Sequence, residues 1–549
     1  MGKKIGIDLG TTYSCVSCVD DTGIVRIIDP AEGGGYTTPS VVYFDPDSNE
    51  AVVGSAARQE GALHPESMVE RVKNYMGDPS YILNINGTDY SPAAISSLIL
   101  KKLITDAETW LDGEEIDGAV ITCPAYFGEA ARAATRVAGE NVTLSNGKKL
   151  NVLQILDEPV AAALAYGNSR NEDMQKNILV YDLGGGTFDV TVMKLNFCGD
   201  SKNMEQVTTA GNHQLGGKDW DNQLRSYVAN KFCEATGDDV DEMLSDPDQI
   251  AWFSENIEKT KIMLTKKEVA TLVPSYNGNK EKIEVTREIF DSETEGLLNE
   301  TIQLIDDMMA KANLNMETDI DEIILVGGST RMPQVERRLT AEYGKPIAAY
   351  EQDKAVAMGA AFVASGLSVN ATAGNGGSGD EFSELGGDAF APQEDGGAIV
   401  IEGEDGVKTE IIVKCTKSYG LMAVRNGEDI IANIIIKDTV KPALETRTFG
   451  TSVENQVTLN LRVFENDNNE SNATVMESTE LYENCIVELT PGLPKGAPIE
   501  ITFNLDRSGI LIITALDVTN GISKQVQPVR IGEAVNNIGM DSICDTVLR

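Results

Sequence analysis

The sequence predicts an α/β unit followed by an all-β unit, and three observations predict it. Residues 1–366 alternate short Ile- and Val-rich runs with longer helical patterns, as α/β layers do. Residues 367–397 lose that pattern and turn to Gly, Ser, Asn and acid, which is the composition of a linker. Residues 398–530 then alternate apolar and polar positions with period two, as half-buried strands do. A tail over 531–549 shows no amphipathic pattern.

The chain has 549 residues, too many for one core, with enough apolar content to bury several. Its 45 Lys and Arg against 86 Asp and Glu give a net charge of −41, a field that repels phosphate backbones and anionic lipid. Nucleic acid and membrane are therefore not expected as partners, and the charge needs no further purpose than solubility. Of eight cysteines only Cys15 and Cys18 form a C-x-x-C, and on a strand that spacing puts them on opposite faces, so they read as structural. With His64 and His213 the only histidines, histidine-centred catalysis is not expected. Met1-Gly2-Lys3-Lys4 leads straight into a strand, and no apolar run approaches the roughly 18 residues of a membrane span. The expectation is a soluble, reduced, cytoplasmic protein.

Taken in order, "IGIDLGTTYSC" (5–15) is an apolar strand ending on Asp8 and turning through Gly10, Thr11 and Thr12. "SPAAISSLILKKLITDAETWL" (91–111) is a helix, with Ser91 as cap and Pro92 at its first position. "AVITC" (119–123) is a buried strand. "ILVYDLGGGTFD" (178–189) repeats the opening pattern: strand, Asp182, glycines 184–186, Thr187. "EIILVGGST" (322–330) gives a third apolar strand and glycine turn, through Gly327, Gly328 and Ser329. In the β unit, Val457, Leu459, Leu461 and Val463 share one face of a strand over 457–464. "IEITFNLDRSGILIITALD" (499–517) is a hairpin turning at Asp506-Arg507-Ser508-Gly509.

A strand, an aspartate, a glycine turn and a threonine together suit phosphate. Glycines let successive amide N–H groups line one concavity, and threonine hydroxyls add donors without bulk. A carboxylate facing phosphate makes sense only with a divalent cation between them, held through water as Mg2+ prefers. Asp8 and Asp182 therefore imply metal, and the repeat implies a duplicated unit gripping a nucleotide across a cleft. The turns match neither a Walker A loop nor a Rossmann fingerprint.

"GIDLGTTYS", "VKNYMG", "AVITCPAYFGEAARAAT", "ILDEPVAAALAYG", "LVYDLGGGTFDVTVM" and "ILVGGSTRMP" occur in that order. With "LTPGLPKGAPIEITFNLDRSGILIITALD" in the β unit, the set resembles the seventy-kilodalton heat-shock (heat shock 70 kDa) chaperone family, most closely its bacterial DnaK-like branch. The resemblance implies an α/β actin-like ATPase domain of two ribonuclease-H-like halves, then a β-sandwich that binds extended apolar peptides of unfolded or client polypeptides. It implies ATP and ADP with Mg2+ as ligands, and a J-domain co-chaperone and a nucleotide-exchange factor as possible partners.

Residue by residue, the resemblance implies that Asp8 and Asp182 organise Mg2+ through water. Gly10, Thr11, Thr12, Tyr13, Gly184, Gly185, Gly186 and Thr187 would hold the phosphates, with Gly327, Gly328, Ser329 and Asp353 on the third side. Lys73 would reach the γ-phosphate and Glu158 would position the attacking water. Glu258, Lys261, Ile262 and Thr265 form one helical stripe, where Glu258 and Lys261 would meet the ribose and Thr265 the base edge, with Arg331 packed on adenine. Leu421, Phe449, Leu459 and Leu461 would line the peptide groove, and Pro124 and Arg132 would relay the nucleotide state between domains. Pro124 and Arg132 also read innocently, as a strand-ending proline and a surface arginine.

Three departures accompany the match. The family's aliphatic linker, a leucine run closed by an aspartate, is replaced by polar sequence, with Val413 near the aspartate's place, which weakens the expectation of interdomain coupling. Gln154 stands where the family has an arginine that receives J-proteins, and Asp157 where it has asparagine. The helical lid has no counterpart, so peptide capture is expected to be weak and fast. The alternative is a nucleotide-bound scaffold of the same fold that binds one fixed partner with little turnover.

Overall fold

The computed structural model describes residues 2–367 and 398–548, save 32, 34, 49, 62–63, 171–172, 403–406, 426, 484, 527–528 and 531–535. Beyond Leu367, the linker expected over 367–397 falls outside the described residues.

The first domain is built on two sheets with one strand order. In the first, the strands run Val152–Asp157, Ile116–Cys123, Lys3–Asp8, Tyr13–Val19 and Val25–Ile28. In the second they run Ile347–Ala349, Glu322–Val326, Met174–Leu183, Phe188–Cys198 and Ser201–Asn212. Strand directions match as well: the first three neighbours in each sheet are parallel and the remaining pairs antiparallel. The central strands Lys3–Asp8 and Met174–Leu183, which carry the two aspartates, thus occupy the same place in each half. Between the halves lies an apolar layer built from the helices Glu158–Asn168 and Ala355–Gly366. These two helices touch backbone to backbone, because any side chain at Gly359 would overlap Ala161. That contact fixes Glu158, at the helix start, relative to both sheets.

The helix Pro92–Trp110 begins as expected, with the Ser91 hydroxyl accepting from the Ala94 amide at 3.1 Å. It is buried along most of its length, between the first sheet and the helix Glu129–Glu140. Cys15 and Cys18 are both buried on the strand Tyr13–Val19, as free thiols. Among the described residues no helix is long and apolar enough to cross a membrane.

The β unit packs a five-stranded sheet, with Glu428–Ile435, Ser418–Arg425 and Val463–Asn466 at its centre, against a four-stranded one of Ala443–Gly450, Pro498–Leu505, Leu511–Asp517 and Ile522–Val526. Their inner faces share one apolar core. The hairpin over 499–517 forms with Ile499 opposite Asp517, and its turn closes through the Gly509 amide on the Asp506 carbonyl at 3.0 Å.

Three expectations need correction. The strand expected over 457–464 is two, Thr458–Asn460 and Val463–Asn466, in different sheets. The chain changes partners at Leu461 and Arg462, which bond Cys485 and Met422, while the alternation runs on unbroken. Second, the β unit does not begin at 398. Ile399–Glu402 and Lys408–Lys414 extend the second sheet of the first domain, with Lys408–Lys414 parallel to Ser201–Asn212. Ile411 and Val413 are buried there, so an aliphatic docking strand is present although the leucine run is not. Third, the end of the chain has a packing role. Met540 and Ile543 join the core of the first half, and Val547–Leu548 pairs with Glu50–Val53. Ser91 anchors this segment twice, its amide donating to Ile538 at 3.0 Å and its hydroxyl to Asn536 at 2.8 Å.

Candidate functional site

The two aspartate turns face each other. A Cβ at Gly185 would overlap the Thr12 hydroxyl, and one at Gly186 would strike Asn74 and Thr11, so only glycine lets the turns close to this distance. The third turn joins them through the Ser329 hydroxyl, which donates to the Gly184 carbonyl at 2.9 Å. Together they wall a cavity of about 440 Å3. Every nucleotide-site residue expected from the sequence lines it except Gly186, which lies just behind, against Thr11.

At its floor Lys73, from the short helix Val72–Tyr75, donates a hydrogen bond to Glu158. Both are buried, Lys73 at 4 % and Glu158 at 7 % exposure, beside Asp8 and Asp182. Burial pulls the Lys73 ammonium toward neutrality, but Glu158 and Asp8 outweigh it and its pKa is raised. Burial, then Glu158, push Asp8 up to about 7. The same causes raise Asp182, and carry Asp189 on the neighbouring strand to about 8. Four carboxylates around one ammonium leave negative charge uncompensated, and the buried Asp182 Oδ2 has no hydrogen-bond partner. That donor set fits a divalent cation. Among the described residues no three His, Cys, Asp or Glu side chains come together closely enough to hold a metal directly, so Asp8 and Asp182 would act through water.

The other end of the cavity is partly open and lined by paired charges. Lys261 bonds Asp221 and the Gly217 carbonyl, both at 2.9 Å. Arg331 pairs with Asp353 at 2.5 Å on the rim, half exposed. Arg58 bridges the halves, donating to Tyr13 at 2.9 Å and lying 3.6 Å from Glu258. Asp189 and Asp221 were missed by sequence reasoning. Asp189 falls within the quoted motif "DLGGGTFD" and could have been found by its place opposite Asp182 on the neighbouring strand, whereas nothing in the sequence links Asp221 to Lys261.

The β unit docks on the first half. Arg132 is 1 % exposed, not a surface residue, and its guanidinium bonds Asp157 at 2.6 Å and the Phe127 and Ala125 carbonyls, with the Ser508 carbonyl of the hairpin turn at 3.4 Å. Pro124 is buried at the start of the same loop. Lys441, itself buried, lies 3.5 Å from Asp157. Glu465 accepts from the Glu129 amide at 3.1 Å and so caps a helix of the other domain. Gln154 is buried on the strand Val152–Asp157, whose edge the Ser508 hydroxyl covers by accepting from Ile155 at 3.1 Å. Of the expected groove residues, Leu421 and Leu461 lie inside the sandwich core, while Phe449 and Leu459 pack on it half-buried.

A family model described as Hsp70 protein matches residues 4–374 and 397–539. The chain belongs to the Hsp70 family. Among curated relatives of this Hsp70 chain, the "Chaperone protein DnaK" of Thermotoga neapolitana is 36% identical over 526 residues, covering 94% of this chain and 78% of the relative. The protein of the same name from Thermotoga maritima matches to the same extent, and that of Thermosipho melanesiensis is 34% identical over 525 residues with the same coverage.

Proposed function

We propose that this Hsp70 chain is an ATP-dependent chaperone that hydrolyses ATP and binds exposed apolar segments of unfolded or client polypeptides. The observation that carries it is the buried Lys73–Glu158 pair between Asp8 and Asp182, at the floor of a cavity walled by three glycine turns.

Phosphoryl transfer needs charge neutralisation and in-line placement of the nucleophile more than a strong base. Lys73 would neutralise the γ-phosphate, and Glu158, held by that lysine and by its helix start, would orient the attacking water. The amides and hydroxyls of the Thr11–Thr12 and Gly184–Thr187 turns would fix the β- and γ-phosphates. Asp8 and Asp182 would hold the water shell of Mg2+, which when bound draws charge from the phosphate oxygens. Glu258, Lys261 and Thr265 would position the ribose and base, with Arg331 against adenine.

Docking of the sandwich through Arg132, Asp157 and Glu465 supports a relay between nucleotide and peptide sites, in which Pro124 and Arg132 take part. Phe449 and Leu459 are the groove residues accessible enough to meet a peptide, whose backbone would bond a strand edge. The described residues after the sandwich, 536–548, pack on the first domain through Met540 and Ile543. A J-domain protein and an exchange factor remain the partners to test.

ATP turnover of the purified chain, with and without excess of a short extended apolar peptide, tests this, with Asp182→Asn as the blank. Turnover that rises with peptide is expected. Turnover indifferent to peptide would favour the scaffold alternative, and none above the blank would refute the ATPase assignment.

A further inference from the structure

A second cavity, of about 800 Å3, lies on the far side of the phosphate turns. Its walls come from both halves of the first domain and from the docked sandwich, which contributes Glu465, Thr479, Glu480 and Leu481. Two residues line both this cavity and the nucleotide pocket, and both are cations: Arg71 and Lys218.

Neither has a carboxylate partner in an ion pair or hydrogen bond among the described residues. Arg71 directly precedes the short helix that carries Lys73, and it holds a left-handed backbone, φ 59°, which arginine rarely adopts. Lys218 opens the helix Gly217–Thr236, its amide donating to the Gly185 carbonyl of the second phosphate turn at 2.8 Å. Their charges sense each other, because burial and Arg71 together depress the Lys218 pKa despite the adjacent Asp219. The Asp219 carboxylate, which accepts from the Gly216 amide at 2.8 Å, faces both cations and offsets one of the two positive charges, leaving the pair net cationic. Two like charges held half-buried at a constriction between two cavities favour an anion between them. Arg71 adjoins the short helix of Lys73 and Lys218 bonds the 184–187 turn, the elements proposed above to meet the γ-phosphate, so hydrolysis would generate a free anion beside the pair.

Resting on the ATPase function proposed above, we infer that Arg71 and Lys218 form a transient inorganic phosphate site, through which phosphate leaves the nucleotide pocket into the cavity roofed by the sandwich. A cationic waypoint lowers the barrier for an anion at the constriction, whereas the outer walls, with Glu70, Asp78 and Glu480, hold no anion and let it go. The route also sets phosphate release under the docked sandwich, so release and docking are coupled through the same space.

The test uses the full chain and the variants Arg71→Gln, Lys218→Gln and the two combined, with Arg71→Lys as the conservative control and thermal unfolding to confirm folding. Chemical quench of a single turnover reads hydrolysis, and a fluorescent phosphate sensor reads release. Hydrolysis should stay within about twofold while release slows by about tenfold in the chain carrying both Arg71→Gln and Lys218→Gln, less in either alone, and recovers in Arg71→Lys. Equilibrium dialysis of radiolabelled phosphate against the ADP-bound chain should show weaker retention in the same order. Unchanged release and unchanged phosphate retention would overturn the inference, as would a parallel loss of ATP affinity and hydrolysis, which would make the pair part of nucleotide binding. If the wild-type chain does not hydrolyse ATP, the ATPase proposal fails, and dialysis alone decides the anion site: retention that falls in the variants supports it, and retention that does not overturns it.

Discussion

The two halves of the first domain share a strand order but end differently at their edges. In the first sheet the outer strand, Val25–Ile28, is four residues long and the sheet stops there. Its counterpart in the second, Ser201–Asn212, is twelve residues long, and its start receives Lys408–Lys414 as a further strand. An open strand edge offers unpaired amides and carbonyls, and a long one offers enough of them to dock a strand. The first half meets the β unit by side chains instead, at the opposite edge, where Ser508 and Arg132 close over Val152–Asp157. Duplication thus gives both halves the same strand, aspartate and glycine turn, while edge length decides how each half holds the second domain.

The largest effect should come from breaking the likeness at the floor of the pocket. Lys73→Ala removes the one ammonium among four carboxylates and should reduce turnover by about 10³-fold, read as steady-state phosphate production. Asp182→Asn should cost more turnover than Asp8→Asn, because Asp8 is within 3.4 Å of the Thr122 hydroxyl whereas Asp182 Oδ2 has no protein partner. Equal losses would show that the halves contribute symmetrically.

Next in size is the side-chain contact of the first half. Arg132→Ala leaves Asp157 facing Lys441 alone and should destabilise the chain by about 3 kcal/mol in urea unfolding. Hydrogen exchange at the 506–509 turn should rise with it. The strand contact of the second half should cost somewhat less: Ile411→Ala, a buried truncation, is expected to lose about 2 kcal/mol and to deprotect the Ser201–Glu205 amides. If Ile411→Ala left that protection intact while Arg132→Ala released both, the side-chain contact would hold the two domains together by itself. The smallest effect, about 1 kcal/mol, is expected for Ser91→Ala, which removes a helix cap and one anchor of the 536–548 segment together.

The phosphate turns were legible in the sequence because their signal is local. An apolar strand, an aspartate and consecutive glycines specify a turn whatever surrounds it, and the repeat at Asp8 and Asp182 disclosed the duplicated sheet. Arg132 was legible only through the family resemblance, since no local pattern distinguishes an arginine that will be roofed by a loop some 376 positions later from one on the surface. The partner of Ile411 and Val413 was not legible: their alternation suits any half-buried strand, and only the tertiary fold assigns it to the first domain. Leu461 shows the same limit, as period-two alternation persists through a change of sheet. The tail escaped notice because two apolar residues, Met540 and Ile543, make no periodic pattern although both are core.

The packing of that tail makes the sandwich a span fixed at two points. It leaves the first domain after Lys414, on the second half, and returns by Asn536, on the first. A domain hung from one flexible tether can sweep a wide volume, but one held at both ends is restrained to rocking about the line between its anchors. Even when its contacts at Arg132 and Glu465 open, the local concentration of the sandwich near its docking face stays high. Re-docking should therefore be fast and independent of protein concentration.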